Sequence, residues 1–177
     1  MSHTFDKLTL ESSLQVYFYD QLQEFNKKSL QPLSPEIVYY SSLVMDQFGD
    51  ASKYFEKVDG KIREKILGIK LMESSQFPKE KQKQILRDIG ETSLLLCGYF
   101  ADSLNKKIVD TKYYHDIGVM AFMRLNAFHP KAFDINNFFE KIAHNFQNMT
   151  NLMNLVSCKH ETDPYSVLLI TSTRRVS

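Results

Sequence analysis

Residues 97–118, CGYFADSLNKKIVDTKYYHDIG, gather a thiol, an imidazole, three carboxylates and three tyrosines into one stretch of this 177-residue chain. A nucleophilic cysteine needs a base to take its proton and a group to orient that base, and Cys97, His115 and Asp110 or Asp116 supply those types. The neighbours of Cys97 argue the other way. It lies within Leu94-Leu95-Leu96-Cys97-Gly98, and a thiol in such apolar company behaves as a small buried hydrophobe with a raised pKa. An inert core thiol is therefore expected. Haem would need an axial ligand such as Cys97 or His115, and nothing in the spacing marks either residue for that role. A di-iron bundle needs Glu-x-x-His pairs on facing helices, and the chain contains neither Glu-x-x-His nor His-x-x-x-His. Glu140 and His144, one turn apart, read as a surface pair. None of the six glycines forms a phosphate-cradling loop. No catalytic residue, metal ligand or cofactor is expected.

Geometry gives the same stretch a simpler account. Gly90, Ser93, Cys97 and Ala101 place small residues along one helix, and Gly118 and Ala121 do so on the next. Two backbones could approach closely there, which would explain glycines that otherwise cost helix stability. Between them Asp102 and Ser103 stand near a helix end, Lys106 and Lys107 at its negative pole, and Asp110 as the following N-cap. Tyr99, Tyr113 and Tyr114 would bring rings and hydroxyls to this corner, either as buried braces or as an exposed docking surface. The candidate interaction surface is accordingly Asp102, Lys106, Lys107, Asp110, Tyr113 and Tyr114.

The elements that position this corner follow from apolar periodicity. Leu10, Leu14, Tyr17, Phe18, Leu22 and Phe25 predict a helix over 10–27. Ser34-Pro35-Glu36 gives a cap, a first-turn proline and an acid at the positive end of a second helix, from Pro35 to about Phe48. After Gly49-Asp50 and Asp59-Gly60, a helix over 61–74 is expected from Ile62, Ile66, Ile69 and Leu71. The strongest helix starts after Phe77-Pro78 and runs to about Asn105, apolar on more than one side and so central. Asp110 caps the next, with Tyr114, Ile117, Gly118, Ala121, Leu125 and Phe128 at helical spacing until His129-Pro130. Asp134 is expected to cap a last helix to about Val156. Residues 1–163 thus read as one all-α domain, an irregular bundle of about six helices. Residues 164–177, with the β-branched run Val167 to Thr173, read as a non-helical tail, either a packed arm or flexible. There is no internal repeat and no low-complexity segment.

Composition agrees and narrows the partners. The length suits one core-bearing domain, and six Gly with five Pro favour long helices. Thirteen Phe and nine Tyr imply a large core or a ligand pocket. With 22 basic against 21 acidic residues the net charge is +1, which leaves no whole-molecule field for nucleic acid. Two cysteines make no disulfide framework, the N-terminus lacks a secretory pattern, and no apolar run approaches the roughly 20 residues a bilayer requires. A cytoplasmic protein is expected.

Residues 86–122, LRDIGETSLLLCGYFADSLNKKIVDTKYYHDIGVMAF, resemble a family of uncharacterised bacterial all-helical proteins that share the pattern LRxxG, GYFxDSL, VDxxYYxxxGxxAF in this order. The helix-two segment SPEIVYYSSLVMDQFG is similar to an upstream part of that pattern, while His115 falls outside it. The resemblance implies a cytoplasmic bacterial domain and carries no activity, so it transfers no catalytic residue. The function expected is a non-enzymatic interaction or regulatory module, working through a protein partner or self-association. The alternative is a small-molecule or haem-binding protein, or an enzyme, built on an aromatic pocket inside the bundle.

Overall fold

The computed structural model describes residues 13–101 and 110–158. Helices dominate, beginning with α1 (Leu14–Lys27), whose cap Ser13 accepts the Val16 N–H at 3.2 Å. Next come α2 (Pro35–Asp46), with Pro35 at its first position, and the short α3 (Leu67–Glu73). The two longest helices are α4 (Lys79–Gly98) and α5 (Thr111–Phe128), followed by α6 (Phe138–His144) and α7 (Phe146–Ser157). Asp110 caps α5 as expected, accepting the Tyr113 N–H at 3.0 Å. Among the described residues no helix is long and apolar enough to cross a membrane.

The chain is predominantly helical but not purely so, which corrects the all-α expectation. An antiparallel hairpin joins β1 (Phe55–Val58) to β2 (Lys61–Glu64), with Val58 opposite Lys61. Asp59 and Gly60 form its turn, both at positive φ (50° and 77°), the conformation that favours an Asp-Gly pair in a two-residue hairpin. The stripe of Ile62, Ile66 and Ile69 therefore does not belong to one helix: α3 begins only at Leu67, with Ile66 as its extended cap. A second, smaller hairpin pairs β3 (Lys131–Ala132) with β4 (Ile135–Asn136). Its turn is Phe133 and Asp134, again at positive φ (52° and 60°). Asp134 is thus a turn residue and caps no helix.

The long C-terminal helix expected from 134 is two helices. The break falls at Asn145, whose backbone N–H and side-chain amide both donate to the Lys141 carbonyl, at 3.1 and 2.9 Å, and the chain turns there between α6 and α7. Helix α4 closes earlier than its apolar pattern suggests, because the N–H groups of Tyr99 and Phe100 both converge on the Leu95 carbonyl. The continuation toward 105 lies outside the described residues, as do the start of helix one at 10–12 and the tail 164–177.

Helix α4 packs against α2, α3, α5 and α7, the central place its several apolar sides require. Phe122, Phe138, Phe139 and Phe146 are fully buried around it. The small-residue seam is real: a Cβ added at Gly118 would meet the Ser93 Cβ at 2.7 Å, and one at Gly90 would meet the Phe122 ring at 2.7 Å.

Candidate functional site

At the corner that drew attention in the sequence, the two adjacent tyrosines divide. Tyr114 is 7 % exposed and belongs to the core, whereas Tyr113 is 37 % exposed. Their rings meet edge to face at 5.2 Å. Tyr114 is therefore removed from the docking surface: it shares the stripe of Ile117, Ala121 and Leu125, all buried. Tyr99 also braces, half-buried among the rings of Phe18, Phe48 and Phe100. Asp110 is exposed and engaged as the α5 cap. Asp102, Lys106 and Lys107 lie outside the described residues.

The chemistry of Cys97 and His115 does not assemble, although both line a polar cleft of about 640 Å³ with Thr150 and Asn154. The Cys97 thiol donates to the Thr111 carbonyl at 3.4 Å, not to an imidazole. His115 instead faces Asp116 at 3.3 Å, edge-on to Phe146 at 5.0 Å. Asp116 is bound by Lys112 at 2.9 Å, and that bond, with His115, holds its carboxyl below the usual range. Burial, with Asp116 adding to it, pushes the Cys97 thiol up to about 12. At pH 8 its thiolate fraction is then roughly one part in ten thousand. Iodoacetamide at pH 8 is expected to alkylate native protein once, at the half-exposed Cys158, with Cys97 reacting only in denaturant. Intact mass shows the count, and prompt double labelling of folded protein would refute the inert thiol.

A charged cluster that the sequence reading missed is the best-built polar feature among the described residues. Glu91, on α4, is 7 % exposed. It accepts the Tyr40 hydroxyl from α2 at 2.9 Å and the Lys53 ammonium at 3.4 Å. Lys53 also reaches Asp88 at 3.1 Å, and Asp88 accepts Lys65 at 3.1 Å. Lys53 precedes the β1–β2 hairpin and Lys65 follows it, so one carboxylate fastens both ends of the hairpin to α4. A lone two-stranded hairpin is marginal in water, and this clamp supplies the missing support, with Lys70 and Glu56 forming a further ion pair from α3 to β1. Burial and the Glu91 charge raise the Tyr40 phenol well above its ordinary value, so it remains a neutral donor. Burial pulls Lys53 down, but Glu91 and Asp88 outweigh it and leave the ammonium above the usual lysine range.

An apolar face lies on the outside of the same region. Ile62 on β2 is 78 % exposed and Met72 on α3 is 76 % exposed, with Ile66 and Ile69 exposed between them. Ile66, Ile69 and Met72 follow one another at three-residue intervals along α3. Helix α5 borders this face: Arg124 donates to the Leu71 carbonyl at 3.3 Å, the Tyr113 hydroxyl lies against Gly68, and Met120 and Met123 are exposed. Isolated exposed apolar side chains are normal, but a run of large ones marks an interaction surface. By contrast, the rings that suggested an aromatic pocket pack on one another: Tyr40 contacts Phe122, Phe138 and Phe139. The larger clefts among the described residues are lined mainly by polar side chains.

Fold and surface define the class: a predominantly helical protein with a clamped hairpin and an exposed apolar face beside it. Comparisons with protein-family models, curated proteins and solved structures return no match.

Proposed function

We propose that this protein is a non-enzymatic cytoplasmic module that works through protein–protein contacts, and that its docking face is the exposed run Ile62, Ile66, Ile69 and Met72. The single observation that carries the reading is that run of apolar side chains standing in solvent beside a hairpin held rigidly to α4. Tyr113 supports joining it to the corner of Asp102, Lys106, Lys107 and Asp110, since its hydroxyl touches α3 at Gly68. The occupant is a segment of a partner protein that is apolar on one side. Charge around the face is balanced, with Lys57, Lys61 and Arg63 exposed against the carboxylates of Asp59, Glu64 and Glu73, so apolar contact carries the recognition.

Burying an Ile or Met side chain contributes about 1.5–3 kcal/mol, so Ile69→Glu with Met72→Glu is expected to weaken partner retention by at least about tenfold. Both positions are exposed, so the fold should be unaffected, which circular dichroism checks. Quantitative affinity purification from the host extract makes the comparison, with Lys106→Glu, Lys107→Glu and Tyr113→Ala as a second variant for the corner. A partner with an apolar-sided segment that is lost from the first variant supports the proposal. Identical partner sets for wild type and both variants would sink it.

A further inference from the structure

Around the helix from the apolar face, a pit of about 430 Å³ opens between α4 and the end of α5. Glu91 lies at it, with Lys53, Lys83, Arg87, His129 and Glu80 among its walls. We propose that this pit binds a small hydroxylated metabolite through one carboxylate or phosphate group, received by the guanidinium of Arg87 with His129 beside it. The inference goes beyond the docking function and concerns a different surface.

Charge pairing leads to this assignment. The walls of the pit carry three cations, Lys53, Lys83 and Arg87, and three carboxylates, Glu80, Asp88 and Glu91. Lys53 is taken by Asp88 and Glu91, Lys65 by Asp88, and Lys83 by Glu80 at 2.8 Å. All three carboxylates are engaged by lysines, and Arg87 has no carboxylate partner among the described residues. Its guanidinium lies over the Phe139 ring, 5.4 Å from the centroid. That contact restricts a side chain that would otherwise sample many rotamers, and the guanidinium keeps N–H donors for an oxyanion. His129 lines the same pit, and its ring lies 6.3 Å from the same phenylalanine.

The remainder of the pit fixes the rest of the ligand. Its volume falls within the range of small-molecule sites and far exceeds one bare oxyanion. Glu91 has one oxygen on Tyr40 and the other on Lys53, so its charge is already met. A carboxylate still has lone pairs to accept from neutral donors, which suits ligand hydroxyls better than a second ligand charge. A phosphorylated polyol and a hydroxy acid share this chemistry.

The test titrates the full-length protein with glycerol phosphate and, separately, with glycerate, at ionic strength held constant with chloride, following the Arg87 Nε–H resonance by NMR. A saturable shift with either probe is expected at or below ~1 mM, the upper end for metabolite recognition, and the stronger probe identifies phosphate or carboxylate as the anchor. Arg87→Gln should abolish the shifts of neighbouring amides. Arg87→Lys should weaken binding at least about fivefold, because an ammonium lacks the planar fork. Arg87 is exposed, and an unchanged melting temperature verifies that the variants fold. The proposal is overturned if neither probe saturates by roughly 10 mM, or if Arg87→Gln retains the same amide shifts as wild type.

Discussion

Glu91→Ala is expected to lower stability by about 3 kcal/mol, because it removes the central acceptor of a buried network and leaves its donors behind. Tyr40 would keep its hydroxyl in the core among Phe122, Phe138 and Phe139 with no acceptor. An orphaned buried hydroxyl costs about 1–3 kcal/mol. Lys53 would retain Asp88 and lose its second carboxylate. For a chain of this length the melting temperature should fall by roughly 6–12 °C. Tyr40→Phe makes the control, since it deletes the stranded donor itself and leaves Glu91 paired with Lys53. It should cost only about 1 kcal/mol, and Tyr40→Phe with Glu91→Ala should cost less than the sum of the two. Thermal or urea unfolding of the three variants decides it: if Glu91→Ala melts within a degree or two of wild type, the network contributes nothing to the fold.

That network also shows where sequence reasoning stops. Glu91 lies 51 residues from Tyr40 and 38 from Lys53, and no local pattern pairs residues at such separations. One signal was present: a lone carboxylate in Ile89-Gly90-Glu91-Thr92-Ser93-Leu94-Leu95, a run otherwise fit for burial. A buried acid demands a partner, and that demand could have singled it out. Local signals were read where they are strong. Pro35 and Asp110 start helices as expected, because first-turn prolines and caps act within three residues, although the Ser34 hydroxyl makes no cap hydrogen bond. The hairpins were lost to coincidence and omission. Ile62, Ile66 and Ile69 fit a helical period by chance, and Asp59-Gly60 reads as a boundary before a helix as readily as the turn of a hairpin. The Phe133-Asp134 turn carries no glycine to announce it. Tyr114 was legible all along, since its place in the stripe with Ile117, Ala121 and Leu125 already assigned it to the core, whereas Tyr113 falls between the stripes.

Gly118→Ala should be strongly damaging for so small a change, with the opposite sign to the usual effect. In an ordinary helix interior, replacing glycine by alanine gains about 1 kcal/mol. At Gly118 the new methyl would sit 2.6 Å from the Phe146 ring and 2.7 Å from the Ser93 Cβ. Phe146 and Ser93 are both fully buried, and the Ser93 Cβ is one bond from the α4 backbone, so it can yield only if the helix does. Overpacking of this kind costs about 1–3 kcal/mol, and more where neither neighbour can rotate away. A loss of about 3 kcal/mol is expected, seen as a lower urea midpoint at an unchanged slope. The companion change tests the cause. Ser93 has a buried hydroxyl without a hydrogen-bond partner among the described residues, which marks it as chosen for size. Removing its Cβ with Ser93→Gly clears one of the two collisions and discards that orphan hydroxyl, at a helix cost of about 0.5–1 kcal/mol. The double variant Ser93→Gly with Gly118→Ala should therefore recover part of the loss. If Gly118→Ala alone is neutral or stabilising, α4 and α5 do not approach as closely as this seam requires, and the reading of residues 90–121 as a packing surface fails with it.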